Sequence, residues 1–291
     1  MSISKPFRFG VVSAGAPSGT RWTELARRVE AAGFASLVTP DNLSLGLSPF
    51  PALAAAAAVT TTLRVGTYVL ANDLRHPVQV AKEAVTLAVL SDGRFDLGLG
   101  VGRPGADREL AMIGRSWDAP ATRIDRLAES VSILRRLLAG ETVEVSGGHY
   151  EARGAAVTDR PVEVPLLIAG SGPRMLRLAG ALADTVALGV APTATAEQLA
   201  ASVETVRAGA GGRTVELNLN LMAVGGVLPR YLQNRLDPAV LADSVAAVAG
   251  SPRDMADQLR ERRARFGVSY VLVGEELMDP FAPVVAELAG E

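Results

Sequence analysis

Arg94-Phe95-Asp96-Leu97-Gly98-Leu99-Gly100-Val101-Gly102 is the stretch on which the fold turns. Two architectures accommodate it. In the first, Gly100-Val101-Gly102-Arg103-Pro104-Gly105 is the dinucleotide fingerprint G-x-G-x-x-G. That motif needs a helix opening directly behind it. Here Pro104 and a polar stretch to Ala119 open none, and three strand–helix units precede the run. In the second, the run is a buried barrel strand whose glycine-rich C-terminal end meets a bound ligand. Gly98, Gly100 and Gly102 then let a flat ring or a phosphate approach the backbone. Tight packing at the barrel mouth is the competing use of the same glycines, and the better one for Gly98, which lies deeper in the strand.

Working outward, short β-rich runs alternate with amphipathic helices, the pattern of parallel strands joined by crossover helices. Strands are predicted over 7–13, 36–40, 63–70, 94–101, 165–169, 185–189, 214–224 and 269–273. Helices are predicted over 20–32, 50–60, 78–90, 121–139, 173–182, 196–208 and 280–288, with one more running from the Ser251-Pro252-Arg253-Asp254 start to a stop at Gly267. Thr142 to Val157 breaks the rhythm and reads as a hairpin around Gly147-Gly148. Eight strand–helix units predict an α/β fold, a (β/α)8 TIM barrel with a small hairpin insertion between strands four and five, as one domain over residues 1–291. The segment Gly225 to Leu236 reads as a mobile loop at the end of strand seven.

Composition narrows the function. The 291 residues carry 29 basic and 31 acidic side chains, a formal charge of −2, which offers no attraction to nucleic acid or an anionic membrane. No apolar run approaches the roughly 20 residues of a membrane span, and Met1 to Pro6 lacks the apolar core of a signal peptide. Zero cysteines exclude disulfides and thiolate metal sites, and two histidines, His76 and His149, make no metal site; none is expected. His76 reads as a turn residue before Pro77, and His149 as a surface or packing residue. Neither a nucleophile elbow nor a P-loop occurs. The expectation is a cytoplasmic protein.

In such a barrel the chemistry gathers at the C-terminal ends of the strands. Ala169-Gly170-Ser171-Gly172-Pro173 enters a helix there and reads equally as a phosphate cradle or as a glycine turn capped by serine. Asp107, Glu109 and Asp118 read as acids on a solvated loop.

Taken together, these segments resemble the bacterial-luciferase-like family of flavin and deazaflavin oxidoreductases. The resemblance is carried by Glu30-Ala31-Ala32-Gly33-Phe34, by Arg64-Val65-Gly66-Thr67-Tyr68-Val69-Leu70 with Arg75-His76-Pro77, and by Leu90-Ser91-Asp92-Gly93-Arg94 running into the opening stretch. Arg123 with Glu129, the Ile168 to Pro173 turn and Gly250-Ser251-Pro252 extend it. It implies a cofactor across the barrel mouth: coenzyme F420, a 5-deazaflavin, with FMN as the alternative. It also implies a cis peptide bond at Tyr68–Val69, and cofactor contacts from Asp41, Tyr68, Val69, Gly100, Val101, Gly102, Ala169, Gly170, Ser171 and Gly172. Relatives that oxidise sugar phosphates carry a His where this chain has Asn42 and an acid where it has Arg103. An amide does not titrate and a guanidinium stays protonated, so that acid–base pair is missing. Asn42 and Arg103 are the candidate catalytic residues. Arg103 either holds an anion or polarises a carbonyl, or pairs with a loop acid such as Asp107.

The resulting expectation is an oxidoreductase moving a hydride between coenzyme F420 and a small organic substrate, as a homodimer. The alternatives are an FMN-dependent monooxygenase on the same barrel and a non-catalytic cofactor-binding barrel.

Overall fold

The computed structural model describes residues 5–103, 105–233, 235, 241 and 243–291. In chain order its elements are β1 (Arg8–Val12), α1 (Gly19–Ala31), β2 (Ser36–Thr39), α2 (Pro49–Ala57), β3 (Arg64–Thr67), β4 (Leu70–Ala71), α3 (Pro77–Leu90), β5 (Phe95–Gly100), α4 (Ala106–Met112) and α5 (Pro120–Leu138). There follow β6 (Val143–Ser146), β7 (Glu151–Ala155), β8 (Leu166–Gly170), α6 (Pro173–Leu182), β9 (Thr185–Leu188), α7 (Ala196–Ala210), β10 (Glu216–Leu221), β11 (Ala223–Val224), β12 (Ala247–Val248), α8 (Pro252–Phe266), β13 (Val268–Gly274) and α9 (Met278–Leu288).

The strands run in the order β3-β2-β1-β13-β10-β9-β8-β5, all parallel, and the β3–β5 pairing closes the ring. This is the expected eight-stranded barrel. The antiparallel β6–β7 hairpin is the expected insertion between β5 and β8.

The opening stretch shows why the chain folds this way. Phe95, Leu97 and Leu99 join the apolar layer under the helices. Asp96, Gly98 and Gly100 alternate with them and face the barrel interior. The interior is layered. Its lowest layer is ionic: Arg8 binds Asp96 at 2.9 Å and Glu216 at 2.6 Å, Arg64 shares Asp96, and Thr185 donates to Glu216 at 2.8 Å. The Arg8 guanidinium lies 3.8 Å over the Tyr270 ring, whose hydroxyl meets Ser36 Oγ at 2.6 Å. Burial pushes the Tyr270 phenol up to about 12. Higher up, Val38, Leu167, Ala187, Tyr270 and Leu272 form an apolar cluster.

Three boundaries differ from the sequence reading. Strand three is split into β3 and β4 at Tyr68–Val69, and strand seven into β10 and β11. The stretch after Gly105, read as a solvated loop, forms α4, because Ala106, Glu109 and Leu110 share one buried helical face. Parts of the 225–236 loop, Pro104 of the glycine motif, and residues 1–4 lie outside the described residues. No helix among the described residues is long and apolar enough to cross a membrane.

Caps account for several of the quoted motifs. Ser251 closes a capping box on α8 with Asp254, and Gly267 ends that helix at φ +82°. His76 accepts from Val78 N at the start of α3, so it is a cap. Glu129 accepts from the amides of His149 and Tyr150, both at 3.0 Å, and fixes the hairpin turn. Glu30 takes the amides of Thr61, Thr62 and Leu63 at 2.8, 2.6 and 3.0 Å, tying α1 to the turn before β3.

Partial burial opposes ionisation of Glu30, yet the amides of Thr62, Leu63 and Thr61 hold its carboxyl down at about 2. A folded-state value depressed below the ordinary 4.5 stabilises fully above about 4.5 and loses that contribution as pH falls towards 2. Glu30→Gln should therefore flatten the acid limb of stability between those values, read by urea denaturation at pH 5, 4 and 3. An acid limb identical to that of the parent would show that the carboxylate contributes nothing.

Candidate active site

At the C-terminal mouth of the barrel a cavity of about 420 Å³ opens between the ends of β2, β4, β5 and β8. That falls in the range of pockets that bury small ligands, about 300–1,000 Å³. Of the twelve anticipated site residues, all but Gly172 line it: Asp41, Asn42, Tyr68, Val69, Gly100, Val101, Gly102, Arg103, Ala169, Gly170 and Ser171. Gly172 lies on an adjoining cavity of about 230 Å³, which shares Gly170, Ser171 and Gly189 with the first. A larger cavity, about 830 Å³, sits at the opposite end against the ionic layer, where four of its eight charged side chains, Arg8, Arg64, Asp96 and Glu216, already pair within that layer.

The Tyr68–Val69 peptide bond is cis, as the resemblance implied. Tyr68 spans the barrel: its hydroxyl donates to Asn218 Oδ1 on β10 at 2.9 Å, and Asn218 Nδ2 donates to the Tyr270 carbonyl at 3.1 Å. Burial pushes the Tyr68 phenol above its ordinary value, so it remains a neutral donor. Asp41, its side chain 1% exposed, is gripped by both terminal nitrogens of the Arg75 guanidinium and by Ala71 N at 3.2 Å. Its negative charge at the cavity is thereby balanced.

The glycines of the opening stretch have close neighbours. A Cβ on Gly98 would lie 2.0 Å from the Thr67 carbonyl, and one on Gly100 2.7 Å from Val69 Cγ2. Gly98 thus serves the tight packing expected of it, and Gly100, which lines the cavity, leaves room for the Val69 side chain. Gly102 has φ +85°, and its Cβ would strike Trp117 at 2.6 Å. Trp117 in turn lies under the Arg123 guanidinium at 3.7 Å, and Arg123 donates to the Val101 carbonyl. Gly102→Val would report on this loop, whatever binds nearby.

Arg103 and Asn42 meet directly, Arg103 Nε donating to Asn42 Oδ1 at 3.0 Å. The acid that pairs with Arg103 is Glu109, at 2.7 Å, in place of Asp107. Sequence reasoning misses Glu109 because the stretch after Pro104-Gly105 reads as loop. The signal was present in the i, i+3, i+4 spacing of Ala106, Glu109 and Leu110. Ser44 Oγ also donates to Glu109 Oε1, at 3.1 Å.

At Ala169–Pro173 the helix begins at Gly172, with φ +80° and no side-chain cap, so the serine-capped turn is not what forms. Gly172 and Leu176, at the start of this ten-residue helix, line the smaller cavity.

Glu109→Gln should leave stability within about 1 kcal/mol, since its partner is half exposed, while removing one carboxylate charge from beside the Arg103 guanidinium. Affinity for inorganic phosphate should then rise about three- to five-fold by calorimetry. Unchanged affinity would mean that Glu109 does not neutralise Arg103.

The profile of the luciferase-like monooxygenase family matches residues 1–227. The F420-dependent glucose-6-phosphate dehydrogenase of Beutenbergia cavernae is 41% identical over 164 residues, 53% of this chain and 48% of that protein. The enzyme of that name from Nakamurella multipartita is 35% identical over 189 residues, 62% of this chain and 55% of that protein. The chain thus spans about half the length of the curated relatives it matches. Among solved structures, the F420-dependent tetrahydromethanopterin reductase of Methanopyrus kandleri superposes with a TM-score of 0.79 at 20% identity, covering 98% of this chain and 99% of that one. An F420-dependent secondary alcohol dehydrogenase superposes at 0.80 and 21% identity, covering 98% and 99%. These superpositions carry the fold. With residues 1–227 matched, the chain belongs to the luciferase-like monooxygenase family.

Proposed function

We propose that this barrel moves a hydride between coenzyme F420 and a small organic substrate. The observation that carries the reading is the pair of joined cavities at the mouth. The larger has apolar walls in Val69, Leu70, Val101 and Met175, suited to a flat ring, and the smaller meets the uncapped start of α6, suited to an anionic tail. The relatives named F420-dependent point to the same cofactor. When bound, the deazaflavin supplies a hydride donor or acceptor at its C5.

The chain's own residues position and polarise. Tyr68 closes the floor, and the apolar walls keep water from the ring. Arg103, braced by Glu109 and Asn42, offers guanidinium N–H donors to a substrate oxygen, its charge offset by the Glu109 carboxylate. Asn42 also lines the cavity and carries a second donor in its Nδ2. Neither group exchanges a proton near neutrality, so a proton gained or lost by that oxygen passes through solvent. The missing His and the Arg at 103 set this site apart from the sugar-phosphate pattern that the resemblance describes. The proposal extends to residues 1–291 as one domain and to a cytoplasmic homodimer.

Titrating the purified protein with F420 and with FMN, while following oxygen uptake, tests the reading. Selective binding of F420 without oxygen uptake is expected. Tight FMN with oxygen consumption would make it a flavin monooxygenase, and binding of neither would make it a barrel of another kind.

A further inference from the structure

Six of the eight large apolar side chains exposed among the described residues stand on three segments of the barrel mouth. Leu43 and Leu45 follow β2, Met112 and Ile113 end α4, and Val227 and Tyr231 follow β11. Leu45 is 68% and Met112 64% exposed. Apolar side chains exposed around the mouth of a cavity offer a surface to the apolar part of a ligand. Two of the segments are continuous with the cavity: Asn42 and Glu109 line it, and the Ser44–Glu109 hydrogen bond draws the Leu43–Leu45 segment towards α4.

Two further observations narrow what that ligand is. The charged groups at the cavity are matched in place, Asp41 with Arg75 and Glu109 with Arg103, so the site presents no net charge to a ligand. The floor is closed, because Tyr68 is held across the barrel by the fully buried Asn218, above the packed Val38, Leu167 and Leu272. A ligand cannot extend downward, and whatever exceeds the pocket runs out over the rim.

We propose that the substrate is a neutral molecule with an extended apolar portion, its reacting end above Tyr68 and its chain along Leu43, Leu45, Met112 and Ile113. This rests on the reading of the mouth cavity as the place where the substrate meets the cofactor ring. A phosphorylated sugar would exchange its hydration for apolar carbon and a compensated cavity, which is unfavourable.

Calorimetric titration with straight-chain 2-alkanones from 2-butanone to 2-octanone tests it, with and without F420. Each methylene laid on the rim should tighten binding about two- to four-fold. Glucose 6-phosphate should bind more weakly than any of them. Leu45→Ser/Met112→Ser changes only exposed side chains and should bring the chain-length slope towards unity. A flat series in the parent protein, or tighter binding of glucose 6-phosphate, overturns the proposal. So does a parent dimer that the double variant turns into a monomer with its slope intact, for the rim would then hold a second copy. A steep series in protein that fails to bind F420 would support this inference while removing only the cofactor assignment.

Discussion

Gly98→Ala is expected to leave little folded protein, with a loss of about 4 kcal/mol or more in whatever survives. The added methyl would sit 2.0 Å from the Thr67 carbonyl oxygen and 3.0 Å from both the carbonyl carbon and Val69 Cγ1. A flexible side chain can swing aside, but a strand backbone cannot. The Thr67 hydroxyl also bridges the Gly98 amide and carbonyl, at 2.7 and 2.8 Å, so parting the two strands breaks both bonds. This is the seam where β3 meets β5 and the ring closes. A fall of roughly 10 °C in melting temperature, or loss of soluble protein, is the measurement. A variant that melts with the parent would show that the seam adapts freely.

Arg8→Met carries the second large effect. The side chain keeps its length and loses its charge, stranding Asp96 with Arg64 alone and Glu216 with the Thr185 hydroxyl. Glu216 and Asp96 are 8% and 12% exposed, and removing one partner from a buried pair costs about 3–5 kcal/mol. Urea denaturation should report that loss with an unchanged m-value. Adding Glu216→Gln should restore part of it, since the stranded carboxylate is then gone. If the double variant is less stable than Arg8→Met by the full cost of a second independent lesion, the two residues do not act as a unit.

Much of the barrel was legible because its signals are local. The alternation of Phe95, Leu97 and Leu99 with Asp96, Gly98 and Gly100 is visible in nine letters, and so are the Ser251-Pro252 start and the Gly267 stop. The site residues were placed together once parallel strands were accepted, because strand ends converge at one face. What escaped depends on pairings distant in sequence. Whether a glycine admits a ligand or a neighbour depends on where its absent Cβ would point, and only the β3–β5 register tells that. The Tyr68–Asn218 contact joins residues 150 positions apart. Glu109 was lost for a simpler reason: a short helix after a proline and a glycine has weak local signals, and its partner Arg103 comes before it on the chain.

The ionic layer of Arg8, Arg64, Asp96 and Glu216 sits at the end of the barrel away from the mouth. Those four side chains come from β1, β3, β5 and β10, half the staves of the ring. The hoop that keeps the staves together is therefore remote from the loops that meet a ligand. Substitutions among those loops can accumulate without loosening the vessel, which makes the mouth the evolvable part of this molecule and the natural region for retuning its selectivity.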